Sequence, residues 1–122
     1  MNLSLLEGSP IKVSFNDLTS GTPSKSFKCN GNINTALISV ENATTVDLLV
    51  EGCVNDMNGK EPLQDGDCTW VSLAVLNTKD YSLAENITDN GAYNVALGGF
   101  ARVRINPTTI EGTTQVTLVR VE

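Results

Sequence analysis

The 122-residue chain is long enough for one globular domain that buries about two thirds of its chain surface. Its residues are 40% hydrophobic and 18% charged, and a net charge of −6 at pH 7 disfavours binding to nucleic acid or to an anionic membrane surface. Because the chain contains no histidine, mechanisms that use imidazole as a base, as a nucleophile orienter or as a zinc ligand are excluded.

The N-terminal segment, residues 1–10, does not have the pattern of a secretory signal, because it lacks a basic start and its apolar run ends at Glu7. Three leucines, Leu3, Leu5 and Leu6, precede the first turn and suggest an arm that docks on a neighbouring molecule. No stretch of the chain approaches the roughly 20 apolar residues that span a bilayer. We therefore expect a protein that folds in a reducing cytoplasm.

Turn-forming residues recur about every eight to twelve positions, a rhythm typical of β-sandwiches and barrels. They include Asn90-Gly91, Gly98-Gly99 and Gly112. The predicted strands are Ile11–Phe15, Ser26–Cys29, Asn34–Val40, Thr45–Val54, Thr69–Asn77, Ser82–Thr88, Ala92–Leu97, Phe100–Asn106 and Thr113–Val121. The sequence thus predicts a single all-β domain over residues 1–122, an antiparallel, jelly-roll-like β-sandwich of two packed sheets.

A helical interpretation competes at one place. Ser82-Leu83-Ala84-Glu85 matches a capping box, with Leu83 and Ile87 one helical turn apart. Four polar residues would end a helix within two turns: Asn86, Thr88, Asp89 and Asn90. An extended stretch that ends at the Asn90-Gly91 turn is therefore favoured.

Two predicted strands, Thr45–Val54 and Thr69–Asn77, allow a test of register. If they are antiparallel neighbours with Cys53 opposite Cys68, Val50 meets Val71, and the apolar residues of both strands share one face. Leu48 then meets Leu73 and Val46 meets Val75, whereas Asp47, Leu49, Glu51, Trp70, Ser72 and Ala74 lie on the other face.

A hairpin at Gly98-Gly99 is disfavoured, because it would place Arg102 and Arg104 on the apolar face formed by Tyr93, Val95 and Leu97. The glycines instead predict a corner at which the chain leaves one sheet for the other.

Candidate ligand sites are weak. The acidic loop from Asn55 to Glu61, followed by Asp65-Gly66-Asp67, offers oxygen ligands for calcium, but it lacks the EF-hand spacing, and a solvated loop is favoured. Cys53 and Cys68 could form a disulfide, although reduced thiols are favoured in a reducing compartment. Cys29 completes the odd count of three cysteines.

Three further sequence patterns could have a function, but each also has an explanation that involves no ligand or modification. Asn42-Ala43-Thr44 and Asn86-Ile87-Thr88 match the glycosylation tripeptide and are interpreted as chance matches. Arg102 and Arg104, with Lys25 and Lys28 near another strand, could bind a carboxylate or phosphate of a partner, but a solvated strand face is favoured.

Two enzymatic or ligand-binding alternatives stay open. A carbohydrate-binding module requires Trp70 or Tyr81 exposed in a groove with Asp or Asn nearby, although the chain is poor in aromatic residues and Trp70 is expected to pack at the sandwich edge. Tyr93 is the other tyrosine. A small hydrolase requires two carboxylates that share a cleft.

Several segments resemble small β-rich virion proteins of tailed bacteriophages and prophages. They run Trp70–Val75, Asn86–Val95 and Gly99–Ile105, with Ser26–Gly31 and Ala43–Val50 earlier in the chain. The resemblance implies a capsid decoration or other head-associated accessory protein, or a head-fibre or fibre-base protein, with a jelly-roll-like sandwich. None of these motifs is catalytic.

The sequence and the resemblance together predict a non-enzymatic structural protein of the virion, assembled in the cytoplasm of a host bacterium. Its expected partners are capsid or other virion proteins, with no nucleic acid or membrane. A homo-oligomer would use closed cyclic symmetry, and a trimer would suit a head fibre. We predict no catalytic, cofactor-binding or metal-binding residue.

Overall fold

The computed structural model describes residues 12–15, 18–28, 35–53, 68–97, 100 and 102–121. These residues form eight strands and no helix, so no helix within the described ranges is suited to crossing a membrane. The strands are β1 (Lys12–Phe15), β2 (Phe27–Lys28), β3 (Thr35–Cys53), β4 (Trp70–Ser72), β5 (Val75–Asn77), β6 (Leu83–Ala84), β7 (Gly91–Ala96) and β8 (Arg102–Val121).

All the described strands hydrogen-bond into one open antiparallel sheet. The order along it is β1-β8-β3-β7-β5-β6, with β2 also beside β8 and β4 also beside β3. The prediction of an antiparallel all-β chain is confirmed. Two separate packed sheets in a jelly-roll order are not confirmed, because β3 and β8 continue through the whole sheet and connect its two ends.

The central pair, β3 and β8, is longer than the sequence predicted. It runs from Thr35↔Val121 to Gly52↔Val103 and contains three register shifts. Asn42 (φ 63°) and Gly112 (φ 93°) adopt left-handed backbone conformations at the first two shifts, where Ala43 lies opposite Gly112. Gly112 was therefore wrongly predicted to reverse the chain, because it forms part of a bulge within β8. The predicted strands before and after it are continuous in β8, and two other predicted strands are continuous in β3.

The outer edge of β8 is covered in several places by residues 12–15 and 18–28. β1 pairs with its C-terminal part and β2 with its first residues. Between them, the Gly21 N–H donates to the Pro107 carbonyl (2.7 Å) and the Ser24 N–H donates to the Ile105 carbonyl (2.8 Å). This coverage satisfies backbone groups that would otherwise be open to pairing with another chain.

The other edge of β3 is covered by β7, by β4 and by the chain between them. Leu48 and Ile87 exchange backbone hydrogen bonds of 2.8 and 2.9 Å. The Asn90 side chain continues this pairing, because its Oδ1 accepts from the Ala43 N–H (2.9 Å) and its Nδ2 donates to the Ala43 carbonyl (3.0 Å).

The predicted register of Thr45–Val54 against Thr69–Asn77 was wrong by two residues. Cys53 lies opposite Trp70 instead of Cys68, and Gly52 lies opposite Val71. A shift of two keeps each side chain on its predicted face. The pairing with β3 ends with a hydrogen bond from the Leu73 N–H to the Val50 carbonyl (2.8 Å), and the next strand, β5, pairs with β6 and β7 instead.

The extended interpretation of residues 82–90 is confirmed, since β6 and the Ile87 bridge occupy this stretch. The rejection of a hairpin at Gly98-Gly99 is also confirmed, because β7 and β8 lie on opposite sides of β3. The two glycines themselves lie outside the described residues. The strands that precede and follow them, β7 and β8, belong to one sheet, so the predicted passage from one sheet to another is not confirmed.

One apolar cluster joins both ends of the sheet. The apolar positions of β3 and β8 alternate with polar ones, so that one face of each strand is buried. The buried members are Phe15, Ala36, Ile38, Val40, Val46, Leu48, Val50, Leu73, Val75, Ile87, Tyr93, Val95, Leu97, Val103, Ile105, Val116 and Leu118.

Candidate functional site

A polar cluster lies on the face of β3 and β8 opposite the apolar cluster. Glu51 and Arg104 are directly opposite in register, and Arg104 Nε donates to Glu51 Oε1 at 2.8 Å. Their side chains are only 11% and 17% exposed. The Arg104 guanidinium stacks over the Trp70 ring at 4.2 Å, and Asn106 Nδ2 donates to Glu51 Oε2 at 3.3 Å.

This cluster corrects the interpretation of Arg102 and Arg104 as a solvated strand face. Arg104 is enclosed between a carboxylate and an aromatic ring, an arrangement that ties β3, β4 and β8 together. Arg102 is half-buried, its Nη1 donates to Ser26 Oγ at 3.0 Å, and its Nε is buried without a partner. The charge of Arg104 is thus paired with that of Glu51 within the sheet.

A second polar region is a cleft of about 250 Å³ where the β5–β6 hairpin faces the chain that leads into β7. Its lining is mostly polar, with Val75, Ala84 and Tyr93 as the exceptions. The polar lining residues are Asn77, Asp80, Ser82, Asn86, Thr88 and Asp89.

The turn between β5 and β6 is held by its own side chains. Asp80 Oδ1 accepts hydrogen bonds from the Ser82 N–H (3.0 Å) and the Ser82 hydroxyl (2.7 Å). Asn77 Oδ1 accepts from the Lys79 N–H (2.9 Å), and the Tyr81 N–H donates to the Asn77 carbonyl (2.8 Å). This network fixes the backbone of the turn.

Tyr81 occupies an unfavourable conformation in this turn. Its φ is 60°, in a region that bulky side chains rarely adopt and that costs about 1–3 kcal/mol. The side chain is nevertheless 76% exposed, so no buried contact of the ring compensates for the strain. Tyr81 is thus presented to solvent between two residues of the cleft lining, Asp80 and Ser82.

Two ionisable groups of the cleft have shifted pKa values. The hydrogen bonds from Ser82 lower the pKa of the Asp80 carboxyl, so this carboxylate is charged at neutral pH. Burial raises the pKa of the Tyr93 phenol, and the adjacent Asp89 charge raises it further. The Tyr93 hydroxyl therefore stays protonated and donates to the Asp89 carbonyl at 2.8 Å.

The cleft brings together the two carboxylates that the hydrolase alternative requires, Asp80 and Asp89. A glycosidase, however, needs one carboxyl with a raised pKa as its general acid. The pKa of Asp80 is shifted in the opposite direction. Asp80 therefore does not suit the role of the general acid.

The remaining predicted residues do not converge on a site. Cys53 is buried and its thiol is not in a disulfide, whereas Cys68 is half-buried. Asn86 of the second glycosylation tripeptide donates to Asp47 Oδ1 at 2.8 Å, and Asn42 lies exposed at the bulge. Lys25 lines a groove of about 390 Å³ beside β1.

The acidic loop of residues 55–67, Cys29 and the N-terminal arm lie outside the described residues. Within the described ranges, no three acidic or cysteine side chains are grouped closely enough to hold a metal ion.

The sequence did not predict this cleft; of the chain around it, only Tyr81, which adjoins the lining residues Asp80 and Ser82, was a ligand-binding candidate. The signal that it overlooked is the run Asn77-Thr78-Lys79-Asp80, in which Asn and Asp recur at the spacing of side-chain-capped turns. It was assigned in part to the end of a strand. Asp89 faces this turn because β5 pairs with β7, and the sequence did not reveal that pairing.

Comparisons with known proteins give one relationship in fold. No protein-family model matches the sequence, and no curated protein matches it at a significant level. Among solved structures, the crystal structure of the SPBc2 prophage-derived protein YomS is similar, with a TM-score of 0.63 and 15% sequence identity. The match covers 90% of this chain and 93% of the other. The chain therefore shares its fold with a prophage-derived protein.

Proposed function

We propose that this protein is a non-enzymatic structural component of a phage particle, as a capsid decoration, head-accessory or fibre-base protein that binds other virion proteins. The observation that carries the proposal is the likeness in fold to a prophage-derived protein over nearly the whole of both chains. The virion-protein resemblance of the segments around Trp70, Tyr93 and Phe100 points the same way.

The construction of the sheet supports this role. The long β3–β8 pair is held on both edges by shorter segments, and the Glu51–Arg104–Trp70 contacts connect three strands on the second face. When the edges of the long strands are covered, further chains cannot add to the sheet by edge-to-edge strand pairing. Contacts with neighbouring proteins are then made by side chains. A closed ring of copies, such as a trimer, would give a discrete assembly.

The proposal is tested on particles made by the host strain that carries the gene. Mass spectrometry of particles purified by density gradient should detect the protein at a fixed ratio to the major capsid protein, and native mass spectrometry of the isolated protein should give the copy number. Its presence in the lysate but not in particles would contradict the proposal.

A second candidate function, recognition of a host-surface glycan, is favoured by a specific observation. Tyr81 is exposed and its chain neighbour Asp80 lines a polar cleft with Asn86 and Asp89, although Tyr81 itself is not part of the lining. An exposed aromatic ring with Asp or Asn nearby is part of what the carbohydrate-binding alternative requires. A glycan array probed with the labelled protein tests it. Binding to a defined class of glycan would support this function, and binding to none would remove it.

A further inference from the structure

We propose that the Arg102 guanidinium is a docking point for a carboxylate of another virion protein, supplied by an aspartate, a glutamate or a chain terminus. This inference rests on the proposed structural role in the phage particle, and it adds to that role a contact residue and a ligand class.

The hydrogen bonding of Arg102 is incomplete. Its Nη1 donates to Ser26 Oγ at 3.0 Å, whereas its Nε is buried and has no acceptor. Buried N–H groups in folded proteins almost always have a hydrogen-bond partner, because an unpaired buried donor is costly. Within the described ranges, Arg102 Nε is the one buried side-chain nitrogen or oxygen that lacks a partner. An acceptor supplied by another molecule would remove this cost.

The charge of Arg102 also lacks a counter-charge. Glu51 is already used, because its Oε1 accepts from Arg104 and its Oε2 accepts from Asn106. The Arg104–Glu51 contact is the one ion pair that joins two described residues. The register partner of Arg102 is Lys28, and like charges at opposite positions destabilise an antiparallel pair. An anion bound here would offset both the unpaired charge and the repulsion.

A carboxylate fits this position better than a nucleic-acid phosphate does. Arginine presents parallel N–H donors along one edge of its guanidinium, and the two oxygens of a planar carboxylate accept two of them at once. A nucleic acid would bring a row of negative charges toward a chain whose net charge is −6, and the two would repel each other. A protein carboxylate brings a single charge.

The place of Arg102 in the sheet is suited to contact with a neighbour. Arg102 is the first residue of β8 and lies two positions before Arg104, so both side chains are on the face opposite the apolar cluster. Ser26, which accepts from the guanidinium, belongs to the segment along the outer edge of β8. Arg102 is only half-buried, so part of its side chain is open to a partner.

The first test uses the unmodified protein with sodium acetate as the probe. In ¹H–¹⁵N NMR spectra, the Nε–H signal of Arg102 should shift with acetate and approach saturation, whereas sodium chloride at the same ionic strength should move it little. The Arg104 Nε–H is the internal control, because it already donates to Glu51 and should not respond. The spectrum of Arg102→Lys assigns the signal, since it lacks that peak.

The second test asks whether this contact holds the protein on the particle. Particles that carry Arg102→Met should contain at least about fivefold less of the protein per capsid, because the partner's carboxylate would lose its counter-charge. The thermal stability of Arg102→Met should be unchanged or raised, because the substitution removes an unpaired half-buried charge.

Lys79→Gln is the matched control for this loss of charge. It also removes one positive charge, from an exposed side chain in the turn between β5 and β6, toward the other end of the strand order. The amount of protein per capsid should therefore not change.

The outcomes separate this contact from the proposed function. If the unmodified protein is absent from particles, both the virion function and the contact fail. If Arg102→Met enters particles as well as the unmodified protein does, the function stands and the contact is wrong. A marked loss of thermal stability in Arg102→Met would show a structural role and would overturn the assignment. So would an Arg102 signal that ignores acetate, that responds more to inorganic phosphate at equal ionic strength, or that responds to a short DNA duplex.

Discussion

Glu51 is a charged residue in a place where charge is costly. Its side chain is 11% exposed, and both carboxylate oxygens accept hydrogen bonds, from Arg104 and from Asn106. Removing the carboxylate leaves the Arg104 guanidinium beside Trp70 without its counter-charge, and an unpaired half-buried cation is more costly than the pair. The contact therefore stabilises the fold only while both charged side chains are present.

We expect Glu51→Ala to lower the free energy of unfolding by about 2–4 kcal/mol in urea denaturation. Arg104→Met keeps an apolar side chain against Trp70 and removes the charge, so the double variant should lose less than the two single variants together. Additive losses would show that the two side chains are not energetically coupled.

The turn at Asp80 makes a prediction about pH. Ser82 donates two hydrogen bonds to the charged form of Asp80, and these bonds lower its pKa below the ordinary value of 3.8. Because the folded-state pKa is depressed, the stabilisation is present above the unfolded value and is lost as pH falls through the folded value. Titration of the Asp80 carboxyl by NMR should give a midpoint below 3.8, and Ser82→Ala should raise it. A midpoint at or above 3.8 in the unmodified protein would contradict the hydrogen bonds described.

At the level of the strands, the alternation of apolar and polar residues predicted which segments are extended, but it did not predict where the chain reverses. β1, β2 and β7 lie within or beside their predicted ranges. Gly112 has the same chemical signature whether it turns the chain or forms a bulge, because both need a left-handed backbone. What decides between them is the partner strand, which local sequence does not specify.

The same limit explains what the sequence missed at the polar sites. The pairing of Glu51 with Arg104 follows from the contact of β3 with β8, and only β4 was predicted beside β3. Tyr81 was identified as a sugar-binding candidate from its residue type. Its backbone conformation lies in a turn that its own hydrogen bonds hold, and the position of Asp89 opposite that turn depends on the pairing of β5 with β7. The periodicity of the sequence carries no information on either.

The bulge at Gly112 predicts a large cost for a side chain there. A Cβ would lie 2.7 Å from Thr44 Oγ1 and 2.9 Å from the Thr44 backbone nitrogen, at a φ of 93°. Gly112→Ala should therefore lower the free energy of unfolding by about 2–4 kcal/mol, from backbone strain and from the clash together.

Gly21→Ala is a matched control for the conformational part of this cost. Gly21 has a similar φ of 81°, but a Cβ would meet nothing within 4 Å. Its substitution should cost about 1 kcal/mol. Equal losses in urea denaturation of the two variants would show that the close contact with Thr44 does not contribute.

For the molecule as a whole, the long β3–β8 pair is the element on which the others depend. Among the described strands, β1, β2, β4 and β7 pair directly with β3 or β8, and β5 and β6 are joined to β3 through β7. Yet the two strands are far apart in sequence, since their closest paired residues are Gly52 and Val103. The chain must close this long loop before either strand has its partner, at a cost in conformational entropy.

This topology makes a prediction about folding. Because the central pairing is non-local, refolding should take milliseconds to seconds, as for other sheet proteins dominated by long-range contacts. Stopped-flow fluorescence of Trp70, the only tryptophan, reports on the step, since this ring contacts Arg104 of β8 only when β3, β4 and β8 have assembled. If the bulge forms after β3 and β8 have paired at Gly52↔Val103, Gly112→Ala should leave the refolding rate nearly unchanged. If pairing begins at the bulge, the same substitution should slow refolding. A relaxation faster than about 1 ms would contradict the dependence of the fold on this pair, because strands so distant in sequence cannot be the first structure to form on that time scale.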